Sequence, residues 1–177
     1  MPDLITAYLR NAVLFAPAIG FMLVMRALPG DGDAHWRLAA LAGALLALPH
    51  TAWLLRRRPV HGTALGLNAY LIVSAALPFV SAQASRAWGE ALGSAAMLVC
   101  VLAAHAIGLA VAPESFSGAA DPQLAQALCR KMVAYGGIAL AVAFPHRHDP
   151  LYGGVLPVVA LILLHKRLRR GALAPTA

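Results

Sequence analysis

The sequence predicts an all-α integral membrane protein: a bundle of six transmembrane helices arranged as three antiparallel hairpins. Three observations predict it. Apolar residues make up 60% of the 177-residue chain and charged ones only 12%, too few charges to coat a water-soluble surface. Those charges are gathered in short clusters between long apolar runs. The runs are apolar on every face and longer than the ~10 alternating residues of a barrel strand. Lipid offers the backbone no hydrogen-bond partners, so such runs cross it as helices. The same composition excludes a disordered chain. With only two cysteines, a disulfide scaffold is excluded as well.

A spanning helix needs about 20 mostly apolar residues. The first candidate covers residues 12–28, between Arg10 and Arg26. The stretch Pro29-Gly30-Asp31-Gly32-Asp33 after it is a poor small-residue cleavage site, so a retained helix is expected rather than a removed leader. The second covers 38–55, between Arg37 and the triplet Arg56, Arg57, Arg58. The third covers 63–82, inside a stretch from 59 to 85 that lacks Asp, Glu, Lys and Arg. The fourth covers 91–112, between Glu90 and Glu114. The fifth, 132–145, and the sixth, 151–164, are shorter than a usual span. Asp121-Pro122 reads as an N-cap followed by proline at the first helical position, so the fifth helix is expected to begin near Pro122. Its first turns would lie among headgroups, with Arg130 and Lys131 reaching for water. Four spans plus an interfacial hairpin is the alternative. Residues 1–177 form one transmembrane domain, and 166–177 a basic cytoplasmic tail.

Six spans place both termini on one side. Arg10, Arg56 to Arg58, Arg130, Lys131, Lys166, Arg167, Arg169 and Arg170 then share that side, ten of the fourteen basic residues. Arg26, Arg37, Arg86 and Arg147 face the other. Positive loops stay inside, so both termini are expected in the cytoplasm and the chain in the cell inner membrane. Trp36, Trp53 and Trp88 fall near span ends, as an aromatic belt requires. Small-residue pairs are expected at helix contacts: Gly62 with Gly66, Gly89 with Gly93, Ala104 with Gly108, and the doublets Gly136-Gly137 and Gly153-Gly154. Pro17, Pro49, Pro78 and Pro157 lie inside spans and read as kinks. The inner loop from 114 to 126, with Ser115, Ser117 and Gly118, reads as a flexible connector.

No span carries Asp, Glu, Lys or Arg near its middle. Pumps and proton-coupled transporters place such a group at depth. Only His50 and His105, with Asn68 as a further polar spot, stand in for one. At 1.5 Å per residue the two histidines lie roughly 9 and 13 Å from the inner surface. Two imidazoles at similar depth suit a haem, or a proton relay to a quinone; ordinary hydrogen bonding between helices is the plainer reading. Asp31, Asp33 and His35 in one outer loop, with His146, His148 and Asp149 in another, offer ligands for a divalent metal, though Gly/Asp runs also make plain turns.

Walker A, G-x-S-x-G and C-x-x-C motifs are absent, so no enzyme activity and no cofactor are expected. The basic clusters lack aromatic interleaving, which speaks against nucleic acid. The expected partners are the lipid bilayer and another membrane protein or a second copy. The function expected is that of a structural or partner-binding membrane subunit. The alternatives are a small-solute transporter or permease subunit, or a haem- or quinone-associated redox subunit using His50 and His105.

Overall fold

The computed structural model describes residues 12–27 and 32–172, and among these every regular element is helical, with no strand. In chain order they are α1 (Ala16–Ala27), α2 (Asp33–Arg56), α3 (Gly62–Val80), α4 (Ala82–Leu92), α5 (Ala96–Val111), α6 (Pro113–Ser117), α7 (Pro122–Ala143) and α8 (Leu156–Ala172). Tight helical turns link α4 to α5 at Gly93–Ala95 and follow α7 at Phe144–His146; a wide π turn, Leu151–Val155, leads into α8.

Five stretches are long and apolar enough to cross a membrane: Ala34–Arg56, Gly62–Val80, Ala82–Val111, Pro122–His146 and Leu151–Gly171. The fifth and sixth segments are therefore longer than their apolar runs. Asp121 accepts hydrogen bonds from Gln123 N and Leu124 N, which starts α7 at Pro122 as the cap and proline imply. The basic stretch 166–170 continues α8, because Lys and Arg are good helix formers. Among the described residues the shorter apolar helix is the first, Ala16–Ala27.

A second departure lies between the third and fourth segments. Ser81 ends α3 and starts a new helix at once, its hydroxyl accepting from Ala84 N at 3.1 Å. The amphipathic α4 turns Ala84, Ser85, Trp88 and Leu92 partly inward and Gln83, Arg86 and Glu90 outward. It stops at Gly93, whose φ of +51° suits glycine. The residues between the two expected spans thus form a helix, whose 3.6-residue alternation of Ala84, Ser85, Trp88 and Leu92 with Gln83, Arg86 and Glu90 is visible in the sequence.

The bundle is organised around α3, which packs against α1, α2, α5 and α8. Gly66 lies over the backbone of Val101, and Gly62 over His105, so α3 and α5 run in opposite directions. One core cluster joins Leu67 of α3, Leu98 and Val101 of α5, Ala143 of α7, and Val158 and Leu161 of α8, with Phe15 and Ala18 packed on it. The start and end of the described chain thereby meet on one core. Ala40, Ala44 and Ala75 make an alanine layer between α2 and α3 that lets the helices approach closely. Outward, Leu45 is 70% exposed, Phe79 77% and Val111 77%. At roughly 25 cal/mol per Å2 of apolar area, such faces are costly in water and acceptable against lipid chains.

The small residues divide. Gly62 and Gly66 sit at a helix contact as expected, but Gly108 is covered by Phe116 rather than by a neighbouring long helix. Gly89 and Gly137 face open space. Pro49 and Pro78 lie inside helices that continue past them. Pro157 lacks the N–H that an α-helix would offer to the Gly153 carbonyl; just before it the chain widens into the π turn, where Leu156 N bonds Leu151 O.

At the end away from α6 two turns are held together by hydrogen bonds. Ser94 N donates to Arg147 O at 2.7 Å, and the Ser94 hydroxyl donates to Arg147 O and Asp149 O, each at 2.9 Å. Gly153 packs on this turn, against the His146 carbonyl and Ser94.

Candidate functional site

The opposite end holds the polar groups. There α3 begins, α5 and α8 end, and α6 and the first turns of α7 fold over them. The inner loop 114–126, expected as a flexible connector, is folded: its start belongs to α6 and its end, from Pro122, to α7. Val60 N donates to Ser115 O at 2.7 Å, and Phe116 fills the slot that the bare faces of Gly62 and Gly108 leave. Gly118, at φ +71°, ends α6 in the left-handed conformation. Ala119, Ala125 and Leu128 then make a small apolar cluster with Leu124 and Leu168. The apolar side chains of this loop had interior partners that only the tertiary fold supplies.

Three imidazoles meet beneath this cover. His61 precedes α3, His105 belongs to α5 and His165 to α8. The rings of His61 and His165 stack with centroids 5.4 Å apart and planes at 18°. Those of His105 and His165 lie 6.1 Å apart at 38°. The edge-on ring pair of Phe15 and His61 has centroids 5.6 Å apart. Thr63 Oγ1 and His105 Nε2 share a hydrogen bond of 3.2 Å. His105 is 3% exposed and His165 7%, yet Nδ1 of both His61 and His165 is buried without a hydrogen-bond partner. A half-open cleft lined by His105, His165, Arg169, Phe116, Leu128 and Met132 runs beside the rings.

Burial holds the His61 imidazole far below its ordinary basicity, at about 3 against 6.5, and the charges of His165, His105, Arg169 and Lys166 add to the effect. The sign of the linkage follows. The folded protein favours neutral His61, so this stability is complete above pH 6.5 and drains away as pH falls toward about 3. Melting in detergent from pH 7.5 to 4.5 should show a falling midpoint, and His61→Gln should flatten part of that slope. Identical slopes for both proteins would contradict this.

His50 and Asn68 are also brought together, in a separate place. Asn68 Nδ2 lies 3.0 Å from His50 Nδ1 and donates to Thr51 Oγ1 at 2.9 Å. His50 stacks on Trp53 with centroids 5.4 Å apart, and the Arg57 guanidinium lies 4.2 Å over the Trp53 ring. His105 has a different partner set, Thr63 and His165. The sequence reading missed His61, His165 and Thr63 as site residues. The available signal was positional: His61 just precedes the third expected span, His105 lies late in the fourth and His165 just follows the sixth, which is one side of the bundle when the hairpins alternate.

The residues of the two loops expected to offer metal ligands have local roles. Asp31 lies outside the described residues, and Asp33 begins α2. His35 Nε2 is buried without a partner. His146 lies against Tyr152 at 6.2 Å, and His148 is exposed. The Asp149 carboxylate accepts from Leu151 N at 2.8 Å and Tyr152 N at 3.1 Å, as a helix cap does. Among the described residues no three His, Cys, Asp or Glu side chains are placed around a metal ion. Asp149→Ala should therefore cost about 1 kcal/mol of stability through the lost cap. The cost should be the same with and without added Zn2+, and a zinc-dependent difference in melting would revive a metal role.

No family model, curated protein or solved structure matches the chain.

Proposed function

We propose that the chain is a multi-pass inner-membrane protein with six spans in three hairpins and both termini in the cytoplasm, serving as a structural or partner-binding membrane subunit. One observation carries this reading. From His105 to Ser94, roughly 16 Å along α5 at 1.5 Å per residue, the buried positions are Val101, Cys100, Leu98, Ala96 and Ala95. They pack on Leu67, Leu71, Ala143, Val158 and Leu161. A solute path along this face of α5 needs polar groups or water along its length, and its buried positions are all apolar, while the bundle's interior polar groups at this depth, Asn68 and Ser74, belong to α3. The basic clusters 56–58 and 166–170 lie at the ends of α2 and α8 on the histidine side, and Arg130 and Lys131 in the third turn of α7, in keeping with a cytoplasmic inner end. Nothing in the contacts of His50 and His105 favours a shared haem, since each ring is held by its own partners.

The test is purification of tagged full-length protein from host membranes in mild detergent, beside reporter fusions at each terminus. A stoichiometric membrane partner and two cytoplasmic reporters are expected. A lone homo-oligomer that moves solute into proteoliposomes would overturn the subunit reading, and reporters in opposite compartments would overturn the topology.

A further inference from the structure

The geometry points to a binding site for the phosphate of an anionic lipid at the histidine end of α2, built on the Arg57 guanidinium where it lies over Trp53. The inference takes from the preceding reading only that α2 crosses the membrane. It does not depend on the subunit role or on which leaflet this end faces.

The first ground is a supported cation. Asn68 Nδ2 lies 3.0 Å from His50 Nδ1. The His50 ring stacks on Trp53 with planes at 21°, and the Arg57 guanidinium lies 4.2 Å over the Trp53 ring. Each group in this ladder is held by the one before it. A guanidinium held by its face keeps its N–H groups, which lie in its own plane, for an acceptor. Among the described residues no hydrogen bond or ion pair engages that edge, and Arg57 bonds otherwise only through its backbone N–H, to Leu54 O. The long side chain is ordered by folding, so less of that cost falls on binding.

The second ground is charge. Arg56 and Arg58 flank Arg57, and all three are exposed. Of the acids among the described residues, Glu114 and Asp121 lie at this end. Asp121 is engaged in capping α7, and Glu114 is exposed with no ion pair to the three arginines. A guanidinium fork matches the oxygens of a phosphate. A zwitterionic headgroup brings its own ammonium to that phosphate, so an anionic headgroup gains more from the patch.

The third ground is what lies along the same helix. Leu46, Trp53 and Arg57 recur at helical spacing on one face of α2. Beside them Leu46 is 49% exposed, Leu48 56% and Leu55 54%. From Arg57 back to Leu46 is roughly 16 Å at 1.5 Å per residue, close to the ~15 Å of hydrocarbon in one leaflet. An acyl chain hanging from a headgroup at Arg57 thus meets apolar helix surface along its length. A soluble anion or an acidic side chain would make no use of that surface.

The experiment uses tag-free full-length protein, delipidated in mild detergent. Phosphatidylglycerol or phosphatidylcholine is added back, and retained lipid is read by native mass spectrometry. The wild type should retain phosphatidylglycerol about tenfold over phosphatidylcholine, the size of one charge-assisted hydrogen bond. Arg57→Gln should abolish the preference. Trp53→Leu, which keeps the charge but removes its support, should cut it about threefold. Arg130→Gln, on an exposed cation of α7, should leave it intact. No preference in the wild type overturns the proposal. So does one that survives Arg57→Gln or that Arg130→Gln removes equally, since either means general surface charge. Complete displacement of the lipid by inorganic phosphate would assign the site to a soluble anion instead. Loss of an acidic protein partner in Arg57→Gln, without any lipid preference, would assign it to a protein contact; each of these also overturns the proposal. Should Trp53→Leu lose its cooperative melt, Arg57→Lys, which keeps the charge without the flat fork, replaces it and should lower the preference likewise. Alkaline carbonate extraction of host membranes tests insertion separately: release of the chain would fail the membrane reading itself, whereas a missing lipid preference in a retained chain fails this inference alone.

Discussion

Replacing Gly66 with leucine should abolish the cooperative thermal transition of the purified protein. A Cβ at this position falls 2.7 Å from Val101 N and 2.9 Å from Cys100 O, and against Val101 Cα as well. These are backbone atoms of a facing helix, which cannot rotate aside as a side chain would. Neighbouring Leu98 and Val101 are fully buried, so α5 has nowhere to retreat without opening the main core. Even Gly66→Ala overpacks the contact, at about 1–3 kcal/mol. That corresponds to a midpoint lowered by roughly 2–10 °C in a chain of this size. Leucine adds a full side chain to the same clash, against a total stability on the order of 5–15 kcal/mol. Because α3 also carries Thr63 and Asn68, both polar sets should be lost together. Gly137→Ala is the control: nothing lies within 4 Å of that position, so the midpoint should hold or rise. Melting followed by circular dichroism in detergent decides it, and an unchanged Gly66→Ala midpoint would mean that α3 and α5 do not pack this way.

The second large effect is expected at the other end. Gly93→Val places a β-branched residue at φ +51° and drives its Cβ into the Arg147 carbonyl. Left-handed backbone costs such a residue about 1–2 kcal/mol. The displaced carbonyl is also the acceptor for Ser94 N and the Ser94 hydroxyl, bonds worth roughly 1 kcal/mol each. A loss of about 3 kcal/mol should follow, with hydrogen exchange at Ser94 and Gly153 accelerated before that of α3. Exchange unchanged at Ser94 would show that these hydrogen bonds do not hold the turns together.

Much of the helical framework is legible in the sequence, because long apolar runs and the Asp121-Pro122 start depend on local chemistry. What escapes is whatever depends on distant partners. The loop 114–126 reads as loose by composition, yet Phe116 has a slot waiting between two glycines of different helices. Residues 83–90 fall between two expected spans because a search for long apolar runs passes over a short amphipathic helix that carries Gln83, Arg86 and Glu90. His50 and Asn68 stand out as polar residues in apolar runs, and the fold joins them. His61 and His165 sit at the margins of such runs, where a histidine attracts no notice. Their stacking is a property of how α3, α5 and α8 converge, which no spacing along the chain encodes.

The apolar face of α5 between the two polar ends has an electrical consequence. Moving one elementary charge through a membrane field is worth about 2.3 kcal/mol per 100 mV. Among the described residues the formal charges lie toward the ends of the bundle, and the facing dipoles of opposed helices such as α3 and α5 largely cancel. In a bilayer, swings of voltage would find almost nothing to grip, and the conformational balance of this protein should be indifferent to whether its host membrane is energised.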